Sequence, residues 1–177
     1  MNNFLVHKLL FVCSLFVISN LSMADDNAFR CSASKPTSKQ NINVNVVDCS
    51  YLHQFSLDLI SDSLFVYPII NIGQVITDDD KGTFFGGGLG SEIYAFDSIS
   101  FFIQGGMHWQ DDYQFGEVGV AFKDYGGPWQ YFGKLGSSYQ ISSQWRLGYA
   151  YVHMSNGDRY NTNPSFDGHS LFASYNF

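Results

Sequence analysis

The feature that most constrains this chain is a two-residue alternation carried through one long segment after another. In residues 129–141 the odd positions are Trp129, Tyr131, Gly133, Leu135, Ser137, Tyr139 and Ile141, while the even ones include Gln130, Lys134, Ser138 and Gln140. An extended strand sends successive side chains to opposite faces, so this segment has one aromatic, apolar face and one polar or small face. Residues 145–155 repeat the pattern, with Trp145, Leu147, Tyr149 and Tyr151 on one side and Arg146, Gly148, Ala150 and Val152 on the other. Only Ser142, Ser143 and Gln144 separate the two segments, which suits a hairpin. Residues 100–110 behave alike, setting Phe101, Ile103, Met107 and Trp109 against Gln104, His108 and Gln110. Residues 84–96 precede them across a turn at Asp97 and Ser98. Residues 64–77, 51–59, 41–47 and 113–123 are weaker strand candidates. No strong helical period follows residue 24, so the chain reads as all-β.

Two architectures accept such strands. A sandwich buries its large apolar side chains in a shared core, whereas a transmembrane barrel turns them to lipid and keeps polar or small residues inside. Here the second faces carry Lys134, Arg146, Gln104 and many glycines, as the interior of a small barrel requires. The chain ends on HSLFASYNF, with Leu171, Ala173, Tyr175 and Phe177 in one phase. A last strand closing on an aromatic residue resembles the assembly signal of bacterial outer-membrane proteins. The expected fold is therefore an eight-stranded antiparallel transmembrane β-barrel. The candidates number nine with the last strand, so either residues 113–123 form an extended outer loop or residues 41–47 form a periplasmic arm.

Residues 1–24 read as a secretory signal peptide: Lys8, an apolar run from Leu9 to Leu21, then the small-x-small triplet Ser22-Met23-Ala24. The run is too short and too interrupted, at Ser19 and Asn20, for a membrane-spanning helix of about 20 residues. Removing these 24 of 177 residues leaves 153, enough for eight spans of roughly 10 residues with connections. Residues 25–50 read as a polar N-terminal arm pinned by a disulfide between Cys31 and Cys49, two free thiols being the alternative, and residues 51–177 as the barrel. The net charge of −7 and the lack of a Lys/Arg cluster argue against nucleic acid as a partner. Outer-membrane lipid is the expected surrounding, and a homodimer is left open.

With both barrel ends on the periplasmic side, the last strand runs inward and the preceding one outward, so residues 156–166 lie on the cell's outer surface. His153 and Ser155 continue the outward phase of Trp145 to Tyr151, and Asp167 continues that of Leu171 to Phe177. Polar groups facing lipid are costly and invite a functional explanation. A serine hydroxyl needs a base, a histidine two residues away on the same strand face is within reach, and a carboxylate on the next strand can hold the imidazole tautomer. Oxyanion donors are sought in Asn156, Asn163 and the backbone around Gly157.

His153-Met154-Ser155-Asn156, followed twelve residues after the serine by Asp167 and then by the closing strand, resembles the lipid A 3-O-deacylases of the PagL type. Glu92-Ile93-Tyr94-Ala95-Phe96 and Phe102-Ile103-Gln104-Gly105-Gly106 extend the similarity to roughly residues 83–177, with a gap between Gln110 and Trp129. That family consists of eight-stranded outer-membrane barrels with an H-x-S-N motif on the penultimate strand and a carboxylate on the last. The resemblance implies an outer-membrane esterase that releases the 3-O-linked acyl chain of lipid A. Ser155 would be its nucleophile, His153 its base and Asp167 its third member, with Asn163 matching a nearby motif asparagine and no cofactor required. The family carboxylate is usually glutamate, one methylene longer than Asp167.

Two other readings compete. Outer-membrane phospholipase A also carries H-x-S-N-G, which His153 to Gly157 match, but it resembles a twelve-stranded barrel with an asparagine as third member. The other alternative is a non-enzymatic structural barrel whose rim residues are merely interfacial. The acidic turns at Asp78 to Asp80 and at Asp111-Asp112 read as solvated rather than calcium-binding. His169 reads as a packed interfacial histidine and His108 as an interior, hydrogen-bonded one. Glu92, Glu117, Lys134 and Arg146 read as interior partners.

Overall fold

A computed structural model describes residues 27–57, 61–96 and 98–177. The signal-peptide assignment (residues 1–24), Leu59 and Asp97 lie outside the described residues. The chain forms β1 (Asn27–Pro36), β2 (Asn45–His53), β3 (Phe55–Leu57), β4 (Ser61–Ile76), β5 (Lys81–Phe96) and β6 (Ile99–Gln110). A short pair, β7 (Gln114–Glu117) and β8 (Ala121–Asp124), follows, and then β9 (Trp129–Gln140), β10 (Trp145–Ser155) and β11 (Phe166–Asn176).

All neighbours in the main sheet are antiparallel, in the order β2-β1-β11-β10-β9-β6-β5-β4, and β2 pairs in turn with β4. That last pairing closes the sheet into a barrel, which removes every unpaired edge. β3 continues β2 after Gln54: β2 lies along Ile69 to Ile76 of β4, and β3 along Ser61 to Val66. The two together are one stave, so the barrel has eight.

This accounts for the untidy strand count. Residues 41–47 and 51–59, read as two strands, contribute to a single stave. Residues 113–123 mostly form the β7–β8 hairpin, a separate two-stranded sheet off the barrel. The polar arm assigned to residues 25–50 is corrected: β1 pairs with both β2 and β11, so it closes the barrel. Its alternation was concealed because lumen-facing Arg30, Ser32 and Ser34 are polar, while Cys31 and Ala33 on the outer face are small. Cys31 and Cys49 are direct register partners on β1 and β2, and they form a disulfide.

The outer wall bears Ile70, Ile72, Phe85, Leu89, Phe101, Ile103, Leu135, Leu147 and Leu171, all exposed. Their alternates face a packed lumen. Toward the end where β1 begins and β11 ends, Glu92 accepts from Arg30 (3.1 Å) and Arg146 (3.2 Å) and from the Ser100 hydroxyl. Lys134 and Asp48 pair at 2.8 Å between β9 and β2, staves that stand opposite each other across the barrel. Arg30 also stacks over Phe102 and Phe172. Toward the other end, Val44, Val46, Val75, Phe84, Met154 and Phe166 pack with Phe115 and Tyr125 of the β7–β8 region, capping the mouth. Glu92, Lys134 and Arg146 are thus interior partners as the alternation predicts, but Glu117 is exposed on the hairpin. His108 is buried between the rings of Phe84 and Phe132, and among the described residues neither ring nitrogen has a hydrogen-bond partner. Stacking, rather than the expected hydrogen bond, holds it.

Candidate functional site

The filled lumen directs attention to the outer wall at the end where the long connections lie. Along β10, Val152 and Met154 are buried in the lumen, so His153 and Ser155 between and beyond them face outward. On β11, Phe166 and Gly168 are buried and Asp167 faces outward. His153 and Asp167 are direct register partners. Opposed residues hold their Cβ atoms about 5 Å apart, which lets a short carboxylate reach the imidazole. The His153 Nδ1–H donates to Asp167 Oδ1 at 2.8 Å, and His153 Nε2 lies 3.2 Å from Ser155 Oγ. With the carboxylate holding the proton at Nδ1, neutral imidazole presents Nε2 as the acceptor for the serine O–H. The shorter Asp167 therefore spans the distance without a glutamate's extra methylene.

Asp167 has two further donors that the sequence reading missed. The Tyr151 hydroxyl donates to Oδ1 at 2.6 Å and the Ser165 hydroxyl to Oδ2 at 2.8 Å. Tyr151 opposes His169 in the register, and Asp167 is its diagonal neighbour. Long aromatic side chains bridge such diagonals. Its place in the phase of His153 was the available signal. His169 repeats the geometry one step further down, sharing a 2.5 Å hydrogen bond between Nδ1 and the Tyr149 hydroxyl. It is an interfacial histidine held by a tyrosine and makes no hydrogen bond to Asp167.

The β7–β8 hairpin supports this corner from above. Lys123 Nζ donates to Gln40 Oε1 (2.9 Å) and to the Ser165 carbonyl (3.1 Å). Burial lowers its pKa from the ordinary lysine value, and the nearby Asp167 carboxylate opposes that shift.

The three expected oxyanion donors fare differently. Asn156 is fully buried: its Nδ2 donates to the carbonyls of Tyr125 (2.9 Å) and Thr162 (2.6 Å), and its backbone N–H to Asn163 Oδ1 (3.1 Å). Asn163 Nδ2 donates to Asp158 Oδ1 at 2.8 Å. Both asparagines therefore spend their donors tying down residues 156–165, because even-numbered Asn156 falls on the lumen phase. Gly157, two residues after Ser155, has φ 63° in the left-handed region. Among the described residues no group of three or more His, Cys, Asp or Glu side chains is placed to hold a metal ion.

A closed eight-stave barrel with an apolar outer wall and a filled interior defines an outer-membrane-type barrel, and a hydrogen-bonded Ser-His-Asp set stands on its wall. The chain belongs to the family described as lipid A 3-O-deacylase (PagL), whose sequence model matches residues 33–176. That match reaches back through β2 into the last residues of β1, well beyond the similarity visible in the motifs alone. Among solved structures, the outer membrane enzyme PagL superimposes with a TM-score of 0.61 at 12% identity, covering 84% of this chain and 98% of that one. Neisserial surface protein A gives 0.56 at 10% identity, over 85% and 97% of the two chains. The outer membrane protein Ail of Yersinia pestis gives 0.53 at 10% identity, over 86% and 99%. At such identities the structural likeness concerns the fold. No curated protein sequence matches the chain.

Proposed function

We propose that this protein is an outer-membrane serine esterase that hydrolyses the 3-O-linked acyl chain of lipid A in the outer leaflet. Residues 1–24 would direct export, and the end carrying residues 156–165 would face outside the cell. The observation that carries the reading is the continuous hydrogen-bonded run Ser155–His153–Asp167 on the wall that contacts lipid. An acyl ester embedded in the bilayer meets this wall without entering the barrel.

Ser155 Oγ attacks the ester carbonyl while its proton passes to His153 Nε2. The imidazolium is stabilised by Asp167, whose position is held by Tyr151 and Ser165. The Gly157 N–H is the donor assigned to the oxyanion, since the Asn156 and Asn163 amides are engaged in the loop. On collapse of the tetrahedral intermediate the C–O bond to the sugar breaks, and the sugar oxygen takes the proton from His153. Water then attacks the acyl-serine carbonyl, giving a proton to the same nitrogen; the C–O bond to Ser155 breaks, its oxygen takes that proton from His153, and the fatty acid leaves.

Labelling with a fluorophosphonate tests the activated nucleophile. The expected result is a single adduct mapped by peptide mass spectrometry to Ser155, absent in Ser155→Ala and strongly slowed in His153→Ala. Equal labelling of the His153→Ala protein would remove the basis for the mechanism. Turnover of diacyl phospholipid in preference to lipid A would favour the phospholipase reading instead.

A further inference from the structure

The turn after Ser155 brings an arginine back onto the nucleophile's neighbour. Gly157 and Asp158 both adopt left-handed backbone, at φ 63° and 60°. The Arg159 N–H then donates to the Asn156 carbonyl at 3.3 Å, closing a tight turn. From there Arg159 Nη2 donates to the Tyr131 hydroxyl at 2.7 Å, and its guanidinium lies 5.4 Å from the centroid of that ring. Tyr131, on β9, is the register partner of Ser155. A guanidinium is thereby anchored to the side chain that stands beside the nucleophile.

Its charge is uncompensated. Arg30 and Arg146 both pair with Glu92 in the lumen, whereas Arg159 forms no ion pair among the described residues. Its anchoring partner is a neutral phenol, and the side chain is solvent-exposed in an otherwise acidic protein. Tyrosine fixes the stem and one donor, which leaves further N–H groups of the planar fork for an anion. Two-oxygen acceptors such as phosphate match that fork.

We propose that Arg159 forms a phosphate subsite that binds the 1-phosphate of lipid A and so orients the sugar over Ser155. The proposal rests on the reading of Ser155 as the deacylating nucleophile. In lipid A the 3-O-ester and the 1-phosphate sit on the same glucosamine ring, two carbons apart. An anion held beside Tyr131 therefore places that ester next to Ser155, while the phosphate at the distal 4′ position lies on the other sugar.

The test uses full-length protein folded in detergent micelles and three substrates: bisphosphorylated lipid A, lipid A lacking the 1-phosphate, and lipid A lacking the 4′-phosphate. Release of fatty acid is measured for wild type, Arg159→Gln and Arg159→Lys, with heat-shifted gel mobility reporting folding. Wild type should lose about tenfold in kcat/KM, mainly through KM, when the 1-phosphate is missing and little when the 4′-phosphate is missing. Arg159→Gln should show the same loss on the bisphosphorylated lipid and no further loss without the 1-phosphate, and Arg159→Lys should fall between. Binding of the three lipids to Ser155→Ala protein, with and without Arg159→Gln, repeats the comparison without turnover. A 1-phosphate preference that survives Arg159→Gln, or a wild type that treats all three lipids alike, overturns the subsite. If wild type releases no fatty acid from any lipid the deacylase reading fails, and the binding arm still decides on the phosphate.

Discussion

Replacing Glu92 with alanine should destabilise the barrel severely while leaving its outer-wall chemistry intact. Glu92 is 1% exposed, and the arginines it joins, Arg30 and Arg146, are 5% and 3% exposed. They approach it at 3.1 and 3.2 Å from β1 and β10, each three staves away around the barrel. Removing the carboxylate leaves two guanidinium groups in the lumen without a counter-charge, and breaking a buried pair costs about 3–5 kcal/mol. With a urea dependence of about 2 kcal/mol per molar, the unfolding midpoint should fall by about 2 M. The assay is urea unfolding of the protein inserted in phospholipid vesicles, followed by tryptophan fluorescence and gel mobility. Glu92→Gln, which keeps an acceptor for Ser100 and the arginines, should lose less. The triple change Arg30→Met, Glu92→Leu, Arg146→Met should recover most of the loss, because an apolar filling avoids desolvating three charges. A midpoint within about 0.3 M of wild type for Glu92→Ala would refute this reasoning, since it would mean that lumenal water solvates the arginines freely.

Asp167→Asn should reduce kcat by on the order of a thousandfold, by removing the carboxylate that fixes the imidazole tautomer, whereas Tyr151→Phe should lower it by only about fivefold; steady-state kinetics with lipid A separates the two. Asn156→Ala leaves the carbonyls of Tyr125 and Thr162 without their donor, so hydrogen exchange in residues 156–165 should rise and stability fall by about 2–4 kcal/mol. Replacing Cys31 and Cys49 together by alanine opens a link between residues 18 apart and should cost at most about 3 kcal/mol in urea titrations, with deacylation unchanged because the link lies toward the end opposite Ser155.

The fold was legible wherever the outward phase carried aromatics. Residues 129–155 announced their faces through Trp129, Tyr131, Trp145 and Tyr151, and the same phase placed His153, Ser155 and Asp167 outward. β1 was hidden for the opposite reason. Its lumenal Arg30 and Ser32 serve Glu92 and Asp48, partners 62 and 16 residues away in the chain, and no local pattern records such pairings. The cysteines drew attention to a tether when they mark neighbouring staves. At the site, the direct Asp167–His153 pairing followed from strand order. The roles of Asn156 and Asn163 did not, because residue type alone does not reveal that the carbonyls of Tyr125 and Thr162 claim the Asn156 amide. Tyr151 escaped notice as one more aromatic of the outer belt, although its diagonal reach to Asp167 is a property of antiparallel pairs.

Mass spectrometry of lipid A from Gram-negative cells producing either the wild-type protein or Ser155→Ala bears most directly on the central claim. The account predicts loss of one 3-O-linked acyl group from lipid A in the wild-type cells and unaltered lipid A with Ser155→Ala, both proteins being folded in the membrane. Deacylated lipid A in the Ser155→Ala cells would contradict it, as would intact lipid A alongside folded wild-type protein.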